Sequence, residues 1–142
     1  NSRIETLIVR SDRNRQMMMV SENKGKKAIT NYKTLEVFNN QNIPRISLIE
    51  CQLETGRTHQ IRVHMKYKKN SIVGDQVYGK KLPKFKNIDK NLDKILKSIN
   101  RQMLHAKSVS FFHPIRKENL SCDTKLPKDM NNLINMLKTK SK

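Results

Sequence analysis

The chain has 142 residues, with 30 lysines and arginines against 12 acidic residues, a formal charge of +18. That excess is far beyond what solubility requires and favours a polyanionic partner, although an Asn-, Ile- and Lys-rich composition would by itself add surface lysines. No apolar run approaches the roughly 20 residues that cross a bilayer, which excludes a membrane-spanning helix and argues against a membrane partner.

In chain order, the alternation of Ile4, Thr6 and Ile8 predicts a strand over residues 3–9. Residues 11–25 are polar apart from Met17 to Val20 and read as a loop or hairpin excursion. Residues 26–38 are β-branched and aromatic, with Ala28, Thr30, Tyr32 and Leu35 as landmarks. A turn over 39–44 should return the chain antiparallel as a strand over 45–53. A helix is expected from about Thr58 to Tyr67, then a loop over 72–78 hinged at Gly74 and Gly79. Ile88, Leu92, Ile95, Leu96 and Ile99 have helical spacing over 88–100. A strand over 103–112 and a turn over 113–119 lead to residues 120–124. Pro127 and Asp129 open a last helix carrying Met130, Leu133, Ile134 and Leu137. Strands and helices mix without a βαβ rhythm, so the fold class is α+β, with a mixed, mostly antiparallel sheet and peripheral helices. One domain over 1–137 is expected, followed by a disordered basic tail, 138–142.

The densest stretch is Leu53-Glu-Thr-Gly-Arg-Thr-His-Gln-Ile-Arg-Val-His64. A positive φ is natural at Thr55-Gly56, and Thr58 could cap the helix that follows. Arg57, His59, Gln60, Arg62 and His64 then crowd a helix N-terminus, where anions are favoured. Arg62 lies between apolar Ile61 and Val63, so its guanidinium needs a carboxylate or phosphate partner. His64, on another face, is expected to pack structurally. No metal site is predicted: His59 and His64 are off a common face, and Cys51 and Cys122 lack CxxC spacing. The cysteines are expected as buried thiols of a reducing compartment.

The stretch Glu54 to His64 resembles the signature of the RluA family of RNA pseudouridine synthases. Gly25-Lys-Lys-Ala-Ile-Thr-Asn-Tyr32, Ile72-Val-Gly-Asp-Gln-Val-Tyr-Gly79, Arg101-Gln-Met-Leu-His-Ala106, Phe111-Phe-His-Pro-Ile115 and Leu126-Pro-Lys-Asp129 follow that family's order. The resemblance covers residues 4 to 137 and implies the C-terminal portion of the catalytic domain. It implies isomerisation of uridine to its C-glycoside in structured RNA, ribosomal RNA first, with no cofactor, metal or membrane. By motif position Arg62 would pair with the catalytic aspartate and hold it ionised. Arg57, Thr58, His59, Gln60, Lys66, Lys68 and Lys69 would contact RNA, and Ile61 and Leu104 would line the base pocket. Asp75 would shape a loop.

The family's His-Arg-Leu-Asp segment, which carries the nucleophile, and its Lys-x-Tyr-x-Ala strand are not among these residues. Asp12, in Arg10-Ser-Asp-Arg13, has the wrong surroundings. A C-terminal portion of the enzyme, inactive alone, is therefore expected. The alternative is a non-catalytic RNA-binding remnant. A cytoplasmic or organelle-matrix location is expected, and the oligomeric state is open.

Overall fold

The computed structural model describes residues 1–79 and 87–141. Strands β1 (Ser2–Arg10), β2 (Met18–Ser21), β3 (Lys26–Asn40) and β4 (Ile43–Leu53) form one sheet in the order β2-β1-β3-β4. Helix α1 (Gln60–Tyr67) follows, then α2 (Lys90–Ser98), the hairpin β5 (Ser108–His113) and β6 (Glu118–Asp123), and finally α3 (Lys128–Ser141). Every strand pairing is antiparallel, which agrees with the expected α+β class.

The register explains which side chains meet α1. Ile4 lies opposite Thr30 and Thr6 opposite Ala28, so these residues and Ile8 share one face of the sheet. Ile8, Ala28, Val63 of α1 and Tyr78 make a small core there, with Met17, Met18 and Val20 at its edge. Further along β3 the pairing with β4 shifts between Thr34 and Glu36 and again between Phe38 and Asn40. Such irregularities bend and twist a strand. Beyond them a larger core gathers Phe38, Ile43, Leu92, Leu96, Leu133, Ile134 and Leu137. The sheet therefore carries α1 at one end and the α2–α3 pair at the other.

Helix ends follow from side-chain chemistry. The Asp89 carboxylate accepts from the backbone N–H of Asn91 and Leu92 and caps α2. Lys140 Nζ lies 2.9 Å from the same carboxylate. This contact corrects the expected tail at 138–142. Helix α3 continues through Ser141, because Lys138 pairs with Glu36 at 3.2 Å and Lys140 with Asp89. Lys142 lies outside the described residues.

Two further expectations change. The strand predicted from Met103 begins only at Ser108. Residues before it run along the 72–75 loop, with Met103 N–H donating to Val73 C=O at 2.8 Å. Arg101 grips Asp129 with Nε and Nη2 at 2.8 and 2.7 Å. Gly74 permits this approach: at φ +75°, a Cβ on it would stand 2.1 Å from Arg101 O. Cys51 is half-buried and Cys122 exposed, so only the first approaches the expected buried thiol. In the β5–β6 hairpin Val109, Phe111 and Phe112 all face solvent. An isolated two-stranded hairpin is marginal, so this one is the weakest-supported element.

Candidate active site

The turn into α1 is built differently from its sequence-based expectation. The left-handed residue is His59, at φ 56°, and not Gly56. His59 occupies the helix N-cap without a side-chain cap bond, so Thr58 does not cap. The work falls to Gln60, the first helical residue, whose side chain is 3% exposed. Its Oε1 accepts from Arg57 N–H and Thr55 Oγ1 at 2.9 Å each. Its Nε2 donates to Ile29 C=O and Thr30 Oγ1 at 3.0 Å each. Both polar atoms of the amide are thus engaged inside the protein. This corrects the assignment of Gln60 as an RNA contact: it is the brace that locks the signature against β3.

One turn later His64 is fully buried between two threonines. Thr6 Oγ1 lies 2.9 Å from Nε2, and Thr30 Oγ1 lies 2.8 Å from Nδ1. A neutral imidazole needs one donor and one acceptor, and hydroxyls supply either. Burial pushes the His64 pKa below its ordinary 6.5. The unfolded chain then binds a proton more readily than the folded one, so stability is full above about pH 6.5 and declines as pH falls below it. We expect the melting temperature to drop from pH 7.5 to pH 5.5, with His64→Gln flattening most of that slope. An equal slope in the variant would place the titration elsewhere.

Arg62 sits on the third residue of α1 and is taken by a carboxylate of its own chain. Its Nε and Nη2 donate to the two oxygens of Asp75, each at 2.8 Å. The Asp75 side chain is fully buried, and that of Arg62 is 12% exposed. Asp75 Oδ1 also accepts from Val77 N–H at 3.0 Å and Tyr78 N–H at 2.9 Å. It therefore shapes the 75–78 turn as well as holding the guanidinium. Burial is the largest influence on its carboxyl and opposes ionisation. The Arg62 guanidinium and the Tyr78 and Val77 amides together outweigh it and leave the pKa below the usual 3.8. Asp75 thus keeps the turn-shaping role expected for it and adds a bidentate grip on Arg62 that the sequence pattern alone does not reveal. Among the described residues Nη1 makes no hydrogen bond, so one edge of the guanidinium is left for a further acceptor.

Tyr78 joins this pair to the sheet. Its ring is 1% exposed and carries the Arg62 guanidinium 4.8 Å from its centroid. Its hydroxyl accepts from Met18 N–H at 2.7 Å and shares a 2.9 Å hydrogen bond with His59 Nδ1. Desolvation, then the nearby charges of Arg62 and Arg10 against that of Asp75, lower the pKa of His59. Tyr78 was not singled out from sequence as a site residue. Its place three residues after Asp75, between Gly74 and Gly79, was the signal available.

The remaining predicted residues scatter by role. Arg57 is exposed and its Nε donates to Lys27 C=O at 3.0 Å. Thr58, Lys66, Lys68 and Lys69 are exposed, and Lys66 Nζ stands 5.6 Å from the Tyr78 ring centroid. Ile61 and Leu104 are partly exposed; Leu104 follows Met103, which is tied to Val73. Among the described residues no group of three His, Cys, Asp or Glu side chains could hold a metal ion. No helix among them is long and apolar enough to cross a membrane.

A family model described as RNA pseudouridylate synthase matches residues 1–67, a span that ends on α1. Over 135 residues the chain is 40% identical to ribosomal large subunit pseudouridine synthase D of Zymomonas mobilis subsp. mobilis, a match covering 94% of this chain and 39% of that protein. The enzyme of the same name from Buchnera aphidicola subsp. Baizongia pistaciae is 42% identical over 130 residues, covering 92% and 39%. The chain belongs to the RluA family of RNA pseudouridine synthases. It spans about two fifths of the length of the curated relatives it matches. The solved structure of human RNA pseudouridylate synthase domain containing 1 shares the fold, with a TM-score of 0.65 at 22% identity. That match covers 96% of this chain and 59% of the human one.

Proposed function

We propose that this chain serves in the isomerisation of uridine to pseudouridine in RNA, with large-subunit ribosomal RNA as the substrate. The observation that carries the reading is the held guanidinium of Arg62, with two nitrogens fixed by Asp75 and one edge uncommitted. A nucleophilic carboxylate placed against that edge would be kept ionised and oriented by it. The 142 residues contain no His-Arg-Leu-Asp segment, so the nucleophile is supplied by polypeptide outside them. Alone, the 142 residues turn over no uridine. The target base leaves its stack to reach that carboxylate, at a cost of a few kcal/mol that a basic cleft helps to offset. Arg57, Lys66, Lys68 and Lys69 are the exposed cations around the α1 end that would hold phosphates. No cofactor or metal enters this chemistry.

A second reading is a non-catalytic RNA-binding module. It is favoured by the Arg62–Asp75 pair itself, which satisfies the guanidinium's main needs without any catalytic carboxylate. Complementation separates the two readings. The chain is mixed with the catalytic-motif portion of a related synthase, and pseudouridine is measured in a ribosomal RNA transcript. Turnover is expected in the mixture only. Arg62→Ala should lower it by about a hundredfold or more, the scale of losing an oriented electrostatic partner. Turnover that persists in a folded Arg62→Ala mixture would remove Arg62 from this role.

A further inference from the structure

A short hairpin loop joins β1 to β2 beside Tyr78. Residues 11–17 are tied down from within. Ser11 N–H donates to Met17 C=O and Met17 N–H to Asn14 C=O, each at 2.9 Å. Asn14 Oδ1 accepts from Gln16 N–H at 3.0 Å, and Arg10 Nη1 donates to Arg15 C=O. The loop is also fastened to the site: Met18 N–H, at its exit, donates to the Tyr78 hydroxyl that holds His59. Met17 and Met18 pack against the core formed by Ile8, Ala28, Val63 and Tyr78.

Arg13 and Arg15 on this braced loop, and Arg10 at the end of β1 beside it, are all exposed. The loop's one acid, Asp12, is engaged by Lys24 at 3.4 Å. Among the described residues Arg13 and Arg15 have no acidic partner, whereas Arg62, Arg101 and Arg116 each have one and Arg3 has two. Like charges held together on a short turn repel one another, and an anion relieves that repulsion. The Tyr78 hydroxyl, shared between Met18 N–H at the loop exit and His59 Nδ1, places the loop on the His59 side of α1.

We infer that the β1–β2 loop is a phosphate clamp, in which Arg13 and Arg15 grip the RNA backbone beside the strand that enters at His59 and Arg62. This rests on the RNA reading above and names a contact set separate from the signature helix. Guanidinium groups suit phosphates because their forked donors meet two oxygens at once. The rigid loop sets where along the backbone the grip falls, and Tyr78 relays that position to the site.

The test is binding of the 142-residue chain to a uridine-bearing RNA stem-loop, followed by fluorescence anisotropy from low to moderate salt. Each phosphate contact contributes about 0.7–0.9 to the slope of log affinity against log salt. Arg13→Ala/Arg15→Ala should therefore weaken binding about tenfold near 0.1 M salt and reduce the slope by about 1.4–1.8. Arg13→Lys/Arg15→Lys should keep most of the slope while losing affinity. Lys94→Ala/Lys97→Ala, on α2, is the control and should change little. A wild-type chain that binds in a salt-dependent way, with an Ala pair that matches it, overturns the clamp and leaves the RNA reading standing. A control pair that loses as much as the loop pair also overturns the clamp, because charge anywhere would then suffice. A wild-type chain that binds no RNA overturns both. The side chains of Arg13 and Arg15 hold no hydrogen bond within the described protein, so the variants should fold, as circular dichroism would verify.

Discussion

Replacing Asp75 with alanine is expected to lower folding stability by about 3–5 kcal/mol, the usual cost of leaving a buried charge without its partner. The Asp75 side chain is fully enclosed, and the Arg62 side chain that it grips is 12% exposed, so water offers the orphaned guanidinium little relief. The same change strips Val77 N–H and Tyr78 N–H of their acceptor and loosens the 75–78 turn. Urea denaturation should show a lower midpoint. The diagnostic variant is Asp75→Ala/Arg62→Met, in which both charges go and an apolar stem fills the gap. Recovery of at least half of the lost stability is expected, because removing both members of a buried pair is far milder than removing one. If the double variant is no more stable than the single one, the loss comes from the turn and not from the ion pair. The pair also has an acid limit. Asp75 has its pKa below 3.8, so its contribution is present above that value and is lost as pH falls through the lower folded value.

Gln60→Ala is the second large effect. The amide makes four hydrogen bonds, to Thr55, Arg57, Ile29 and Thr30, and it is almost fully enclosed. Each buried group left unsatisfied costs about 1–3 kcal/mol, so a total of about 2–4 kcal/mol is expected after partial relaxation. The urea midpoint should fall without a change in slope. RNA affinity of the folded variant should stay near wild type. A variant of unchanged stability and weakened RNA binding would return Gln60 to the contact role first expected for it.

These two residues show where the sequence could be read and where it could not. Strand alternation, the helical spacing of Leu92 and Leu96, and the polar turn expected over 39–44 placed most elements to within a few residues, because each is a local pattern. The turn itself narrows to 41–42 between β3 and β4. The signature from Glu54 to His64 located the site and marked Arg62. The partner of Arg62 was harder, since Asp75 is thirteen residues away and its carboxylate is aimed by turn geometry that no periodicity encodes. Gln60 misled for the opposite reason. An amide at a helix mouth looks available, and only the approach of β3 reveals that Ile29 and Thr30 already hold it. The positive φ fell on His59 and not on Gly56, because the Tyr78 hydroxyl and the Gln60 brace fix the turn from outside. The basic C-terminal end was read as free from its charge, whereas acids on β3 and before α2 draw Lys138 and Lys140 into a helix.

The two separate cores along β3 have a consequence for how the molecule breathes. The end around Phe38, Leu92 and Leu133 is cemented by close-packed apolar side chains. The end around Val63 and Tyr78 is small and leans on directional bonds from Gln60, His64 and Arg62. Opening free energies in proteins differ from region to region. Helix α1 can therefore part from the sheet without melting α2 and α3, and amides at the signature would exchange with solvent well before those of the far core. Of the two cores, the one beside Arg62 is built to let go first.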